Sequence, residues 1–261
     1  MAEATQLEAH LRRARGSGRK LLVPYVTGGL GDDWTEVIRA FAAAGADAIE
    51  VGIPFSDPVM DGPTIQEASE AALHQGANLP ALLTGLRTVD AGVPIIAMTY
   101  VNLVFHTGYQ RFAAEAVGAQ VAGVILPDLP MEEMGEWRPH GDAVGLATVL
   151  LASPLTPDDR LAELCARSQG FVYGVNLLGV TGERAELASS STVLAKRLKA
   201  TTDLPVVMGF GIATPEQAVM AAAHADGVVV ASALMRARLD GASPEQLGDQ
   251  VAAFRAALDA G

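Results

Sequence analysis

Short apolar runs recur along the chain, each followed by a longer segment whose apolar positions fall at helical spacing. The runs open near Leu21, Ala48, Pro94, Gly123, Leu146, Phe171, Pro205 and Gly227, which predicts about eight strands. Strands so uniformly apolar are buried on both faces, as in parallel sheets covered by helices. Helices are predicted from Asp33, a candidate cap, to Ala44 with Gly45 as the stop, then over 64–74, 79–89, 109–117, 131–137 and 157–168. Further helices are expected over 191–199, 214–224, 233–239 and 244–258. Before the first strand, Leu7 and Leu11 stand four residues apart in an otherwise charged segment, predicting a short amphipathic lid helix over Gln6–Arg15 that ends at Gly16-Ser17-Gly18. The alternation is that of one α/β domain over residues 1–261, a (β/α)8 TIM barrel with an extra N-terminal helix. Periodicity does not show closure, so an open doubly wound sheet is the alternative.

Composition narrows the function. Half of the residues are hydrophobic but only 5% are aromatic, which favours closely packed helices over an aromatic-rich sandwich. A net charge of −12 argues against nucleic acid or an anionic membrane as partner, and leaves an anionic small substrate to be held by local dipoles. Cys165, the single cysteine, excludes an internal disulfide and reads as a small buried apolar side chain. The five histidines lack ligand spacing, so neither a metal nor another cofactor is expected. With no signal-peptide order and no apolar run near the roughly 20 residues of a membrane span, the expected location is cytoplasmic.

Chemistry concentrates in the stretch from Glu50 to Pro63, a strand-to-helix loop that begins and nearly ends on a carboxylate and is stiffened by proline. Glu50 stands at the C-terminal end of the second predicted strand, where barrels of this kind carry reacting groups. A carboxylate leaning into an apolar mouth has its pKa raised and can exchange protons near neutrality. Asp61 is either a second acid of the site or a cap for the following helix. Gly211 after the seventh strand and Ala231-Ser232 after the eighth form a candidate phosphate cradle of backbone N–H groups and a helix N-terminus. Gly28-Gly29-Leu30-Gly31 reads as a tight turn. The segment Leu178 to Arg184, with two glycines around Val180-Thr181, is either a closing lid or an unstructured loop. Tyr25, Tyr100 and Tyr173 each fit a core position as well as the barrel mouth.

The run Glu50-Val51-Gly52-Ile53-Pro54-Phe55-Ser56-Asp57-Pro58-Val59-Met60-Asp61-Gly62-Pro63-Thr64-Ile65-Gln66 resembles the signature of the tryptophan synthase alpha subunit family. The similarity continues at Pro24 to Thr27, Met98 to Phe105, Pro127 to Pro130, Gly170 to Tyr173, Gly179 to Gly182 and Gly209 to Ile212. It implies retro-aldol cleavage of indole-3-glycerol phosphate to indole and glyceraldehyde 3-phosphate, in tryptophan biosynthesis and with a beta subunit as partner in an alpha2beta2 assembly. Carried over residue by residue, it implies Glu50 as general acid/base and Asp61 as the partner of the indole N–H. It places Thr181 against Asp61 and Tyr25, Met98, Ile125, Leu151 and Tyr173 around the indole. Phosphate would rest on Gly182, Gly211, Ala231 and Ser232, and Pro54, Asp57, Pro58 and Asn102 would face the beta subunit.

Several positions depart from the family pattern. Ala231 replaces the usual glycine of the phosphate helix and disfavours a positive φ there. Ala122, Asn176 and Ala71 stand where aspartate, serine and arginine are usual, and the turn after the first strand is Thr27-Gly28-Gly29. Glu50 and Asp61 are intact. Two alternatives share the same residues: a stand-alone lyase that releases free indole, and a noncatalytic subunit that only activates a beta partner.

Overall fold

The computed structural model describes residues 4–175, 184–209 and 211–261, with 184–189 as backbone only. The chain opens with α1 (Gln6–Gly16), and its first half runs β1 (Leu21–Thr27), α2 (Trp34–Ala43), β2 (Ile49–Gly52), α3 (Pro63–His74), α4 (Leu79–Leu86), β3 (Ile95–Met98), α5 (Val101–Thr107), α6 (Tyr109–Gly118) and β4 (Val121–Ile125). A 3₁₀ turn at Met131–Glu133 precedes α7 (Arg138–Val144), β5 (Ala147–Ala152), α8 (Asp158–Arg167), β6 (Val172–Val175) and α9 (Arg184–Thr201). The last elements are β7 (Val206–Gly209), α10 (Pro215–Ala222), β8 (Gly227–Val230), α11 (Ser232–Leu239) and α12 (Pro244–Ala260). The eight strands are parallel and close in sequence order, β8 pairing back onto β1, so the barrel stands and the open sheet does not.

Alternate residues of each strand point inward. Leu21, Val23, Ala48, Ile96, Ile125, Val149, Phe171, Val207 and Val229 fill the barrel, while the other set packs under the surrounding helices. The interior is therefore a packed core and not a channel. The helix α1 closes the N-terminal end of the barrel, opposite the mouth, so its role is that of a plug. Leu7 and Leu11 are fully buried, and Leu7 Cδ2 lies 2.6 Å from where a Cβ on Gly123 or Gly170 would stand. Glycine at those two positions makes room for the plug.

Several boundaries differ from the periodic reading, each for a local reason. The helix expected over 131–137 is a 3₁₀ turn, and the α-helix starts at Arg138, with Gly135 interrupting the first segment and Pro139 in the first turn of the second. Trp137 lies at that junction, fully buried, and its Nε1–H donates to Thr148 Oγ1 at 3.0 Å. The seven-residue α5 is absent from the periodic reading; it is too short for a periodic signal and is bounded by Gly108 at φ 90°. Asp33 precedes α2 but makes no side-chain cap; its carboxylate instead pairs with Arg238 of α11. Cys165 is buried in the apolar layer, and burial pushes its thiol up. Among the described residues no helix is long and apolar enough to cross a membrane.

Candidate active site

Strand β2 delivers Glu50 to the inner face of the barrel, in register with Tyr25 of β1 and Ile96 of β3. The residue is 1% exposed, and its Oε2 has no hydrogen-bond partner among the described residues. A carboxyl placed in this way resists ionisation. Burial, and then the charge of Asp61, push Glu50 up to about 8. It departs from the usual rule, since buried polar atoms are almost always paired.

Asp61 does not cap α3. The N-cap is Gly62, and the first turn begins on Pro63, which has no N–H to satisfy. The carboxylate turns instead to the mouth, where Oδ2 accepts a hydrogen bond from the Tyr100 hydroxyl at 3.0 Å. Burial pushes Asp61 up to about 6, and the Tyr100 bond opposes that rise. Tyr100 Oη also accepts from the Met60 N–H at 2.9 Å, and its ring stacks on Phe55 with centroids 5.0 Å apart. Tyr100 was an ambiguous position in the sequence; its phenol proves to be the donor that holds Asp61.

Two further tyrosines stand around the acids. The Tyr25 phenol lies beyond Gly52, where a Cβ would come within 1.8 Å of Oη, and Thr27 Oγ1 donates to it at 3.4 Å. The Tyr173 ring fills the space beside Gly209 in the same manner, 2.5 Å from the Cβ position. Burial raises both phenols, followed by Asp61 for Tyr25 and by Glu50, Tyr25 and Asp61 for Tyr173. Glu50, Asp61, Tyr25 and Tyr173 thus form one electrostatic group. Met98 and Ile125 pair across β3 and β4, Leu151 and Tyr173 across β5 and β6, and these residues make an apolar wall to the same interior.

The pairing of β7 with β8 brings the ends of those strands together at the rim. Gly211 follows β7 at φ 54°, a conformation glycine adopts freely. Ala231 precedes α11 at φ −120° and ψ −74° with no side-chain cap, and Ser232 is the first helical residue. The negative φ of Ala231 is the one that a residue with a Cβ favours. The first N–H groups of α11 have no acceptor within the helix, which suits an anion. Thr181, Gly182 and Asn176 lie outside the described residues. Among the described residues no group of three or more His, Cys, Asp or Glu side chains is arranged to hold a metal ion.

Around the mouth the β2–α3 loop exposes apolar side chains, with Val59 73% and Met60 46% accessible. Phe105 of α5 is 66% exposed beside a groove of about 640 Å³ lined by Val101, Asn102, Phe105, Tyr109, Leu129 and three glutamates, Glu132, Glu133 and Glu136. Of the four residues expected to face a partner, Asp57 and Asn102 are exposed and Pro58 is half-buried, whereas Pro54 is buried and offers no surface. Val59, Met60 and Phe105 escaped the sequence reading, although apolar residues at a loop tip and beside Asn102 were visible signals.

Comparison with known proteins gives the family. A family profile described as tryptophan synthase alpha chain matches residues 11–259. The tryptophan synthase alpha chain of Streptomyces avermitilis is 43% identical over 234 residues, covering 88% of this chain and 84% of the relative. That of Xanthomonas euvesicatoria is 42% identical, with 97% of each chain covered. Among solved structures, tryptophan synthase from Mycobacterium tuberculosis superposes with a TM-score of 0.90 at 35% identity, covering 98% of this chain and 99% of that one. The tryptophan synthase alpha subunit of Legionella pneumophila gives 0.88 at 33% identity, covering 99% and 100%. The chain belongs to the tryptophan synthase alpha chain family.

Proposed function

We propose that the chain cleaves indole-3-glycerol phosphate into indole and glyceraldehyde 3-phosphate, as the alpha component of a two-component tryptophan synthase. The observation that carries this reading is the buried Glu50, whose Oε2 has no hydrogen-bond partner among the described residues, with Asp61 in the same apolar mouth. At neutral pH Glu50 is protonated and gives its proton to indole C3, and Asp61 as carboxylate accepts the indole N–H and stabilises the positive ring. The Glu50 carboxylate so formed then takes the proton of the glycerol hydroxyl. The C3–carbon bond breaks, its electron pair restores the indole, and the hydroxyl carbon becomes the aldehyde. One proton has moved from oxygen to carbon and Glu50 is again protonated, which is the economy of a single acid/base with a pKa near the working pH.

Tyr25, Met98, Ile125, Leu151 and Tyr173 would enclose the indole in this reading, and Gly211, Ala231 and Ser232 would hold the phosphate by backbone N–H groups. The residues on the rim are suited to an uncharged cradle: the two arginines of α11 engage Glu67 and Asp33 away from its N-terminus. Asp57, Pro58 and Asn102, with the exposed Val59, Met60 and Phe105, would meet the beta subunit. An apolar, partly acidic surface beside the mouth supports a partner over a stand-alone lyase.

The test is indole release from indole-3-glycerol phosphate by the purified chain, alone and with a beta subunit, across pH. Release that rises with the partner supports the two-component reading, and fast release without it favours the stand-alone lyase. Folded protein that releases none in either setting sinks the lyase. The mechanism needs Asp61 ionised and Glu50 protonated, so kcat/KM is expected to peak between about 6 and about 8. Activity declines below that window as Asp61 gains a proton and above it as Glu50 loses one. A rate that climbs steadily through pH 9 would assign Glu50 the wrong starting state.

A further inference from the structure

In the closed barrel β1 lies between β2, which carries the acids, and β8, which leads to the phosphate cradle. A substrate with its indole at Glu50 and Asp61 and its phosphate on Gly211, Ala231 and Ser232 therefore lays its connecting carbons across the end of β1. There the strand turns two polar side chains inward, Tyr25 in register with Glu50 and Thr27 in register with Gly52. The Tyr25 phenol leans over Gly52, where a Cβ would come within 1.8 Å of Oη, so its hydroxyl stands one inward position beyond Glu50 along β2. Thr27 in turn meets the phosphate helix. Its N–H donates to Met235 Sδ at 3.3 Å, and the Met235 N–H closes the first turn of α11 on the Ala231 carbonyl at 3.0 Å.

The hydrogen bonds of this pair leave one donor unused. Thr27 is fully buried and its Oγ1 donates to Tyr25 Oη at 3.4 Å, so the phenol is engaged as an acceptor. Tyr25 is itself buried, and its proton has no acceptor among the described residues. A buried donor left in this way costs free energy until a ligand supplies the acceptor. Burial, then the charge of Asp61, raise the phenol, so it keeps its proton and faces the mouth as a donor. Of the substrate's oxygens, those of the phosphate rest at β7 and β8, and the hydroxyl next to the indole gives its proton to Glu50 on β2. The hydroxyl of the middle carbon is the one that falls over β1. We propose that Tyr25, held by Thr27, is a specificity-determining residue whose hydroxyl donates to the middle hydroxyl of the glycerol phosphate chain. This rests on the reading of the mouth as a site for indole-3-glycerol phosphate. The ring keeps its place beside the indole, and the hydroxyl adds recognition of a carbon that takes no part in the bond breaking.

Tyr25→Phe removes the hydroxyl and keeps the ring. The first readout needs no turnover: NMR titration of the full chain with sn-glycerol 3-phosphate and with 3-hydroxypropyl phosphate, which lacks the middle hydroxyl. The unaltered chain is expected to bind the first probe roughly five- to tenfold more tightly, the scale of one hydrogen bond, and Tyr25→Phe to bind the two alike. Thr27→Val keeps the shape of the side chain but frees the phenol, and is expected to retain only part of the preference. The second readout is indole release from indole-3-glycerol phosphate and from its analogue without the middle hydroxyl. For the unaltered chain kcat/KM is expected to fall by the same factor on the analogue, and for Tyr25→Phe to be equal on both. A purely structural role for the phenol would lower both values together and leave their ratio as it was. A preference retained in Tyr25→Phe overturns the proposal, as does an unaltered chain that prefers neither probe or binds neither. A full preference in Thr27→Val overturns the part given to Thr27. An unaltered chain that discriminates the probes but releases no indole sinks the lyase reading, and the loss of that discrimination in Tyr25→Phe would still support the hydroxyl contact.

Discussion

Glu50→Gln is expected to lower kcat for indole release by about 10²–10⁴, the usual contribution of a positioned acid/base, and at the same time to stabilise the chain. The amide has the size and shape of the carboxyl but neither gives nor takes a proton in the working range, so both proton transfers fail. Substrate affinity depends on the apolar wall and the phosphate cradle, and is expected to change little. The stability gain follows from linkage. The folded pKa of Glu50, about 8, lies above the ordinary 4.5, so the native state favours the protonated form and the unfolded chain the ionised one. Glu50 adds no penalty below the unfolded pKa, and its penalty grows as pH rises toward the folded value. Thermal unfolding of Glu50→Gln against the unaltered chain should therefore show a small difference at pH 5 and a distinctly higher melting temperature at pH 8. Full turnover in the variant would remove Glu50 from the chemistry, and a variant less stable at pH 8 than its parent would mean that the carboxyl is not held neutral.

This opposition between activity and stability explains which features the sequence exposed. Positions that obey simple rules were readable: β1 and β8 fall on their expected residues because each is a continuous apolar run, and Leu7 and Leu11 mark the plug helix by spacing alone. Closure of the barrel could not be read in this way, since the bond from β8 to β1 joins distant segments and leaves no periodic trace. Glu50 was visible because it breaks a rule, ending an apolar strand with a charge. Tyr100 was not, because a tyrosine after a strand fits the core equally well, and only the fold of the β2–α3 loop brings Asp61 and Met60 to its hydroxyl. At Ala231 the Cβ disfavours a positive φ, and the φ of −120° is in keeping with that.

The bottom of the barrel supplies the rigidity that Glu50 opposes, and Asp47→Ala is expected to cost about 3–5 kcal/mol, the range for breaking a buried ion pair from one side. Asp47, two residues before β2, is 5% exposed. Its Oδ1 accepts from Arg19 Nε at 2.8 Å, and its Oδ2 accepts from the Leu22 N–H at 2.8 Å and from Arg255 Nη1 at 3.3 Å. One carboxylate thus ties β2 to β1 and to the last helix, α12, and Arg255 also donates to the Lys20 carbonyl at 2.8 Å. Arg255 is itself buried and pairs also with the half-exposed Asp259, so loss of Asp47 leaves its guanidinium with that weaker counter-charge and leaves the buried Leu22 N–H without its acceptor. For a chain of this length the loss corresponds to a fall of roughly 6–20 °C in melting temperature. The same contact sets the start of the register that carries Glu50 opposite Tyr25. Yet the native arrangement at the mouth is fixed by many strand pairings, so kcat of the folded variant well below its melting temperature should remain near that of the parent. Asp47→Asn, which keeps an acceptor for Leu22 but loses the charge, should fall between the two. A melting temperature unchanged in Asp47→Ala would show that the network contributes nothing net, and a lost kcat in still-folded protein would show that the floor of the barrel positions the acid directly.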